Sequence, residues 1–219
     1  MIGFVQAPPG QLGAVLDLAV TFFTERGADT WVDTDEFSPL WDANELLTER
    51  GFSVHDNWLA MICRQLQPSP PTAVRVRAAS SKDDLQVAAW IGEQNEAPYP
   101  LTRDSAAVQR RFERYWSELH EWRTEFALAE LDGRPVGTAR LTDEVLPVVV
   151  GVATLLAARG RGAATAITAY LTAHALERRG ACALYVERDS AAARIYTRLG
   201  YTPLFRTRAW QREVEGADS

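Results

Sequence analysis

Residues 147–167, PVVVGVATLLAARGRGAATAI, form the most restrictive local pattern in this chain. A continuous apolar run of strand length, 147–156, leads into a loop containing Gly160 and Gly162, and the loop opens a helix of small residues. Such a run is typical of a strand buried on both faces, and a strand leading through a loop into a helix predicts an α/β fold. The turn between strand and helix also carries a chemical possibility. A helix N-terminus exposes about four unpaired N–H groups and a partial positive charge, and an anion can bind there. Close approach requires a loop without Cβ atoms, which Gly160 and Gly162 supply. Arg159 and Arg161 add charge, while Ala163 and Ala164 keep the first helical turn thin. A pyrophosphate fits such a site. Taken alone, a short glycine-rich string equally fits an exposed turn before a helix. There is no G-x-x-x-x-G-K-[ST] and no early G-x-G-x-x-G, so a P-loop NTPase and a dinucleotide fingerprint are excluded.

The remaining punctuation predicts the order of elements. QPSPPTA, 67–73, contains three prolines and marks a boundary. We divide the chain into 1–68, a linker at 69–73, a domain at 74–212 and a tail at 213–219. In the larger part, 73–79 reads as a strand and SSKDDLQVAAWIGEQNE as a capped helix. Residues 105–122 read as a helix with Val108, Phe112, Tyr115, Trp116 and Leu119 at helical spacing. Residues 125–142 read as a hairpin turning at Asp132-Gly133. After the glycine loop come a helix to Arg179, with Ala163, Ala166, Ile167, Tyr170 and Leu171 on one face, a strand at 181–187, a short helix at 190–201 and a final strand or hairpin. The first part repeats the last four elements: helix to Gly27, strand DTWVDTD, short helix 42–52, strand SVHDNWLAMICRQL. RGA recurs at 26 and 179, a separation of 153, and ANELLTERGF matches AARIYTRLGY from 43 to 192, a separation of 149. Matches in the same order on matching elements indicate an internal repeat.

The sequence VATLLAARGRGAATAI, the helix to ERRGACALYVERD, and SAAARIYTRLGY together resemble the GCN5-related N-acetyltransferase (GNAT) superfamily. That family carries an R/Q-x-x-G-x-G/A loop after its fourth strand, matched here by Arg159 to Ala164, and a later helix reading roughly N-x-x-A-x-x-L-Y-x-x-x-G-F, matched by Asp189, Ala192, Ile195-Tyr196 and Gly200-Tyr201. The resemblance spans Val74 to about Arg212 and implies an α/β GNAT fold, a mixed central sheet flanked by helices, preceded by a degenerate, partial GNAT-like half-domain. It implies that backbone N–H groups of Arg159, Gly160, Arg161, Gly162, Ala163 and Ala164 wrap the pyrophosphate of acetyl-CoA. Val152, Ala153 and Thr154 would pair with the pantetheine arm, and Tyr196 would protonate the departing thiolate. Asp189 replaces the usual Asn, and Leu156-Ala157 stand where Pro and an acidic residue are common. The implied activity is transfer of an acetyl group from acetyl-CoA to an amine by direct attack in a ternary complex. A small-molecule amine is the acceptor we favour. Transfer of another acyl group, acetylation of a protein N-terminus or lysine, and a non-catalytic acyl-CoA- or ligand-binding protein remain open, because fold alone does not exclude them.

An attacking amine must lose a proton, which calls for a base. Glu187, at the end of its strand, is our candidate, with Glu93, Glu96, Asp143 and Glu144 as alternatives. His174 reads as packing, and His55 and His120 have no partner pattern. No metal-ligand spacing occurs, and Cys63 and Cys182 read as buried free thiols of a reducing compartment. A net charge of -6 disfavours nucleic acid. No apolar run is long enough for a membrane span and no signal-peptide pattern opens the chain, so the expectation is a cytoplasmic protein without membrane partners. In the first copy, counting back 153 puts Gln6 at the place of Arg159 and Pro9 at that of Gly162, and counting back 149 puts Leu47 at that of Tyr196. Proline lacks the N–H and leucine has no proton, so this copy would hold no cofactor. Its expected work is packing: covering a sheet edge, shaping the acceptor pocket or making a homodimer contact.

Overall fold

The computed structural model describes residues 10–38, 40–142 and 145–213. These form two compact units. One contains the described residues up to Ala60 together with those from Leu204 onward, and the other contains Met61–Pro203. The division therefore does not follow the proline linker at 69–73. Strands β2 (Ser53–Cys63) and β8 (Thr202–Arg212) each have residues in both units, so the linker falls inside the larger one.

The smaller unit holds α1 (Leu12–Thr24), β1 (Thr30–Asp35), α2 (Asn44–Thr48) and most of β2 and β8. Its strand order is β1-β8-β2, with β1 antiparallel to β8. Leu16, Val32, Leu40, Leu47, Phe52 and Trp210 make its core. The order α1-β1-α2-β2 is that of the expected repeat. Gln6 and Pro9, the counterparts of the loop residues, lie outside the described residues.

In the larger unit the end of β2 is followed in the sheet by β7 (Cys182–Glu187), β6 (Val148–Thr154), β5 (Arg134–Leu141), β4 (Glu125–Leu131) and β3 (Arg75–Ala79). β3 to β6 pair antiparallel and β6 pairs parallel with β7, so the sheet is mixed. Asp132 and Gly133 both have positive φ, 51° and 72°, as the two-residue turn between β4 and β5 requires. Helices α3 (Lys82–Glu96) and α4 (Ala106–Glu121) start at Ser81 and Ser105, whose hydroxyls accept from the N–H groups of Asp84 and Val108. Register divides the sheet's faces. Leu128, Thr138 and Ala153 stand side by side facing α3 and α4, where Leu85, Ile91, Phe112, Tyr115 and Phe126 complete the core. Ala129 and Gly137 face the other way, against Ala163 of α5 (Ala163–Arg179). The short α6 (Ala191–Arg198) follows β7.

Three expectations need correction. β6 is not buried throughout: Val149 and Ala153 are buried, but Gly151 is exposed and the remaining residues are half-buried, and β7 leaves its side partway along. The buried face of α5 includes Thr168 and Thr172, which replace the half-buried Ala166 and Tyr170 of the expected face. Trp116 of α4 is 40% exposed and does not share the burial of Val108, Phe112 and Tyr115. No helix among the described residues is long and apolar enough to cross a membrane.

Candidate active site

The geometry begins with a fork. β6 pairs with β7 only at Val148↔Ala183 and Val149↔Leu184, while its other edge stays paired with β5 as far as Thr154. The fork has a local cause. Ala139 of β5 faces two residues, Gly151 and Val152, because the register shifts between Thr138 and Arg140. A bulge of this kind bends and twists its strand, here away from β7. Gly151 sits in the bulge with φ +64°, and a Cβ there would lie 2.6 Å from Arg140 Nη1. From Gly151 to Thr154 the β7-side edge of β6 therefore offers backbone groups to an extended ligand, and Val152, Ala153 and Thr154 are brought together there.

The strand ends in a short 3-10 turn, Leu156–Ala158, and the loop crosses to α5 through Gly160 and Gly162, whose φ values are +76° and +90°. The first bond internal to the helix runs from Ala166 N–H to the Gly162 carbonyl, at 2.9 Å. The N–H groups of Ala163, Ala164 and Thr165 thus keep the unpaired state of a helix start. A Cβ on Gly160 would stand in open space, and one on Gly162 would lie 2.9 Å from Thr72 Oγ1. The arginines take different roles. Arg159 turns inward to Asn95 Oδ1 at 2.9 Å and the Thr154 carbonyl at 3.4 Å. Exposed Arg161 lies 3.8 Å from Asp132. The cradle is consequently built from backbone, with Arg159 as a brace.

Tyr196 lies on α6, which starts at Ser190, whose hydroxyl accepts from Ala193 N–H at 3.2 Å. Its ring is buried, and burial pushes the phenol up to about 12, opposed by the neighbouring Thr168 hydroxyl. A phenol in that state keeps its proton at neutral pH and is a weaker acid than an ordinary tyrosine. Asp189, just before α6, has φ +63°, a conformation that Asn and Asp tolerate better than other residues with a Cβ. Its exposed carboxylate lies 3.4 Å from Arg188 Nε, and Ala192 is half-buried in the first turn of α6. Glu187 is exposed at the end of β7, on the face opposite buried Cys182, Leu184 and Val186. By register Ala183 lies beside Val148, so Tyr185 and Glu187 point to the same side of the sheet as α3 and α4.

That side holds a charged chain. Arg111 pairs with Glu93 at 2.5 Å and Glu96 at 2.6 Å, and its Nη1 donates to the Tyr115 hydroxyl at 3.5 Å. Arg140 donates to the same hydroxyl at 3.5 Å and pairs with Glu118 at 2.9 Å. A cleft of about 420 Å³ opens there between α4 and β5, lined by Arg114, Glu118, Trp122 and Arg140 among others. The sequence reading missed Arg111, Glu118 and Arg140. The first two had a readable signal, because Arg111, Tyr115 and Glu118 share one helical face at i, i+4 and i+7. Arg140 had none, since its role depends on the bulge at Gly151. Glu93 and Glu96 are committed to Arg111, and Asp143 and Glu144 lie outside the described residues. His174 stacks near Tyr170 and pairs with Glu125, so it is more than apolar packing.

Cys63 and Cys182 are buried free thiols. Burial pushes the Cys182 thiol up, which keeps it from acting as a nucleophile, although the hydrogen bond it accepts from the Tyr201 hydroxyl at 3.3 Å opposes that shift. No group of three or more metal-ligating side chains occurs among the described residues.

Comparison with known proteins bears on the family and the fold. Residues 86–201, more than half of the 219-residue chain, match the model of the acetyltransferase (GNAT) family. A GCN5-related N-acetyltransferase from Kribbella flavida is 22% identical, with a TM-score of 0.69 over 95% of this chain and 77% of that one. One from Sphaerobacter thermophilus is 20% identical, with a TM-score of 0.65 over 94% and 70%. A tandem GNAT protein from the clavulanic acid biosynthesis pathway is 14% identical, with a TM-score of 0.62 over 97% and 73%. These three share the fold. No curated protein matches the sequence.

Proposed function

This chain belongs to the GNAT acetyltransferase family, and we propose that it transfers the acetyl group of acetyl-CoA to the amine of a small molecule by direct attack. The observation that carries this reading is the fork of β6 from β7 beside a backbone cradle at the start of α5. Acetyl-CoA supplies an activated acyl thioester. The N–H groups from Arg159 to Ala164 bind the pyrophosphate, and the free edge of Val152–Thr154 pairs with the amide-bearing arm. Asp189 and Ala192 flank that arm. Glu187 accepts a proton from the acceptor's ammonium group, directly or through water. As the new C–N bond forms and the C–S bond breaks, the Tyr196 hydroxyl gives its proton to sulfur, and the surplus proton left on the new amide nitrogen restores the phenol, directly or through water. A thiol ordinarily titrates near 8.5 and Tyr196 near 12, so donation goes uphill unless it is concerted with C–S cleavage. The acceptor approaches from the α3–α4 side, past Arg140, Glu118 and Tyr185.

The smaller unit supports a second element of this proposal. Leu47 on α2 stands where the repeat places a counterpart to Tyr196, and it is fully buried among apolar side chains. We assign this unit a packing role without a second acetyl-CoA.

The test is a screen of amine libraries read by CoA release, alongside acetyl-CoA binding. Turnover of small amines is expected. Preference for peptide N-termini or lysines would move the acceptor to proteins, and tight acetyl-CoA binding with no turnover across both panels would overturn catalysis in favour of a binding protein.

A further inference from the structure

A cleft of about 530 Å³ adjoins the glycine loop, and its lining comes from Ser69–Ala73, Leu131 at the end of β4, Gly160–Gly162 and the first turns of α5. The proline segment is held at both ends. Gln67 N–H donates to the Leu199 carbonyl at 3.0 Å, just past α6. Thr72 Oγ1 donates to the Arg161 carbonyl at 3.3 Å and accepts from Val74 N–H at 3.2 Å. Between these two anchors Pro70 and Pro71 restrict the backbone, so the segment is a stiff strap lying along α5 and not a loose tether. Gly162 has no side chain beside Thr72, and a Cβ there would lie 2.9 Å from Thr72 Oγ1.

We propose that Ser69–Ala73 forms one wall of the subsite for the adenosine 3′-phosphate end of CoA. This rests on the acetyl-CoA reading above. In CoA the pyrophosphate joins the pantetheine arm to the nucleotide. With the arm in the β6–β7 fork and the pyrophosphate on the loop, the nucleotide must continue from the loop, and Gly160, Arg161 and Gly162 belong to both loop and cleft. The lining suits a purine: the proline rings of Pro70 and Pro71 and the small apolar side chains of Ala166 and Ala169 all belong to it. Arg161, exposed and only loosely paired with Asp132 at 3.8 Å, is placed for the 3′-phosphate. The segment that reads as a domain boundary is on this account part of the cosubstrate site.

Calorimetric titration of the full chain with CoA, 3′-dephospho-CoA and 4′-phosphopantetheine tests this. A Pro70→Gly/Pro71→Gly variant is expected to raise the Kd for CoA about tenfold while leaving that for 4′-phosphopantetheine within about twofold. Ala169→Leu, which fills the cleft from the helix side without touching the strap, is expected to produce the same selective loss. Arg161→Gln should weaken CoA but not 3′-dephospho-CoA. Unchanged CoA affinity in both cleft variants, or equal loss of CoA and 4′-phosphopantetheine, would overturn the assignment. A wild-type chain that binds none of the three ligands would instead refute the acetyl-CoA reading itself.

Discussion

Arg159 donates to Asn95 Oδ1 at 2.9 Å, tying the glycine loop to the last turn of α3. Through Nε the same guanidinium reaches the Thr154 carbonyl at the end of β6, so one side chain holds the strand edge, the loop and the helix in register. Its value is therefore preorganisation of the backbone cradle more than charge. Asn95→Ala should raise the Kd for acetyl-CoA about three- to tenfold. The melting temperature should move by no more than about 2 °C, since exposed polar contacts add little to stability. Calorimetry and thermal denaturation check the two halves, and an unchanged Kd would remove the brace from the account.

The two loop glycines should separate binding from folding. Gly162→Ala meets a positive φ and a contact 2.9 Å from Thr72 Oγ1, so it should cost about 1–3 kcal/mol of stability as well as affinity. Gly160→Ala meets only the positive φ, about 1–2 kcal/mol, because its Cβ would stand in open space. That open space is where a phosphate must approach. Gly160→Ala should thus lose more affinity per unit of lost stability than Gly162→Ala, measured by denaturant titration and calorimetry on the same samples.

The loop and its flanking strand and helices were legible because each depends on local chemistry: apolar run, glycine pair, short amphipathic helix; Tyr196 was singled out only by the resemblance to the family. The fork was not legible from residues alone, because it arises from a register shift opposite Ala139, a relation between strands distant in sequence. The same holds for Arg140, whose place depends on the missing side chain of Gly151. Proline read as a boundary at 69–73 because proline breaks regular structure. What it could not reveal is that Thr72 docks the segment on Arg161.

Burial raises the Tyr196 phenol from the ordinary 10 to about 12, which gives two consequences. Between those values the folded chain holds a proton that the unfolded chain has lost. The associated stability is therefore complete below pH 10 and disappears as pH rises through 12, amounting to about 3 kcal/mol. Spectrophotometric titration should show Tyr196 among the late-ionising phenols of the six tyrosines, together with Tyr201, whose phenol burial also raises. Tyr196→Phe should remove one late phenol and lower kcat about 100-fold with acetyl-CoA affinity intact. Full turnover in that variant would show that another group protonates the thiolate.

Glu187 and Glu93 are separable as bases. Glu93 is held by Arg111 at 2.5 Å, with that guanidinium largely buried, so it is committed to structure. Glu93→Gln should lower stability while leaving kcat within about threefold. Glu187→Gln, at an exposed strand end, should leave stability alone and reduce the rate about 10- to 100-fold. If instead Glu93→Gln costs the rate and Glu187→Gln does not, proton removal runs through the Arg111 network and Glu187 is not the base.

The smaller unit makes a prediction about number. At the position matching Tyr196 it has Leu47, wholly buried against the core of Leu16, Val32, Phe52 and Trp210. A leucine there fills volume and holds no proton, so its contribution is to packing. Leu47→Ala should destabilise the protein by about 2–5 kcal/mol, the range for truncating a buried leucine. At temperatures where the variant stays folded, calorimetry should still report one acetyl-CoA per chain with the wild-type Kd. A stoichiometry of two in the wild type would mean that the first copy kept its cradle despite proline in its loop, and the packing assignment would fall with it.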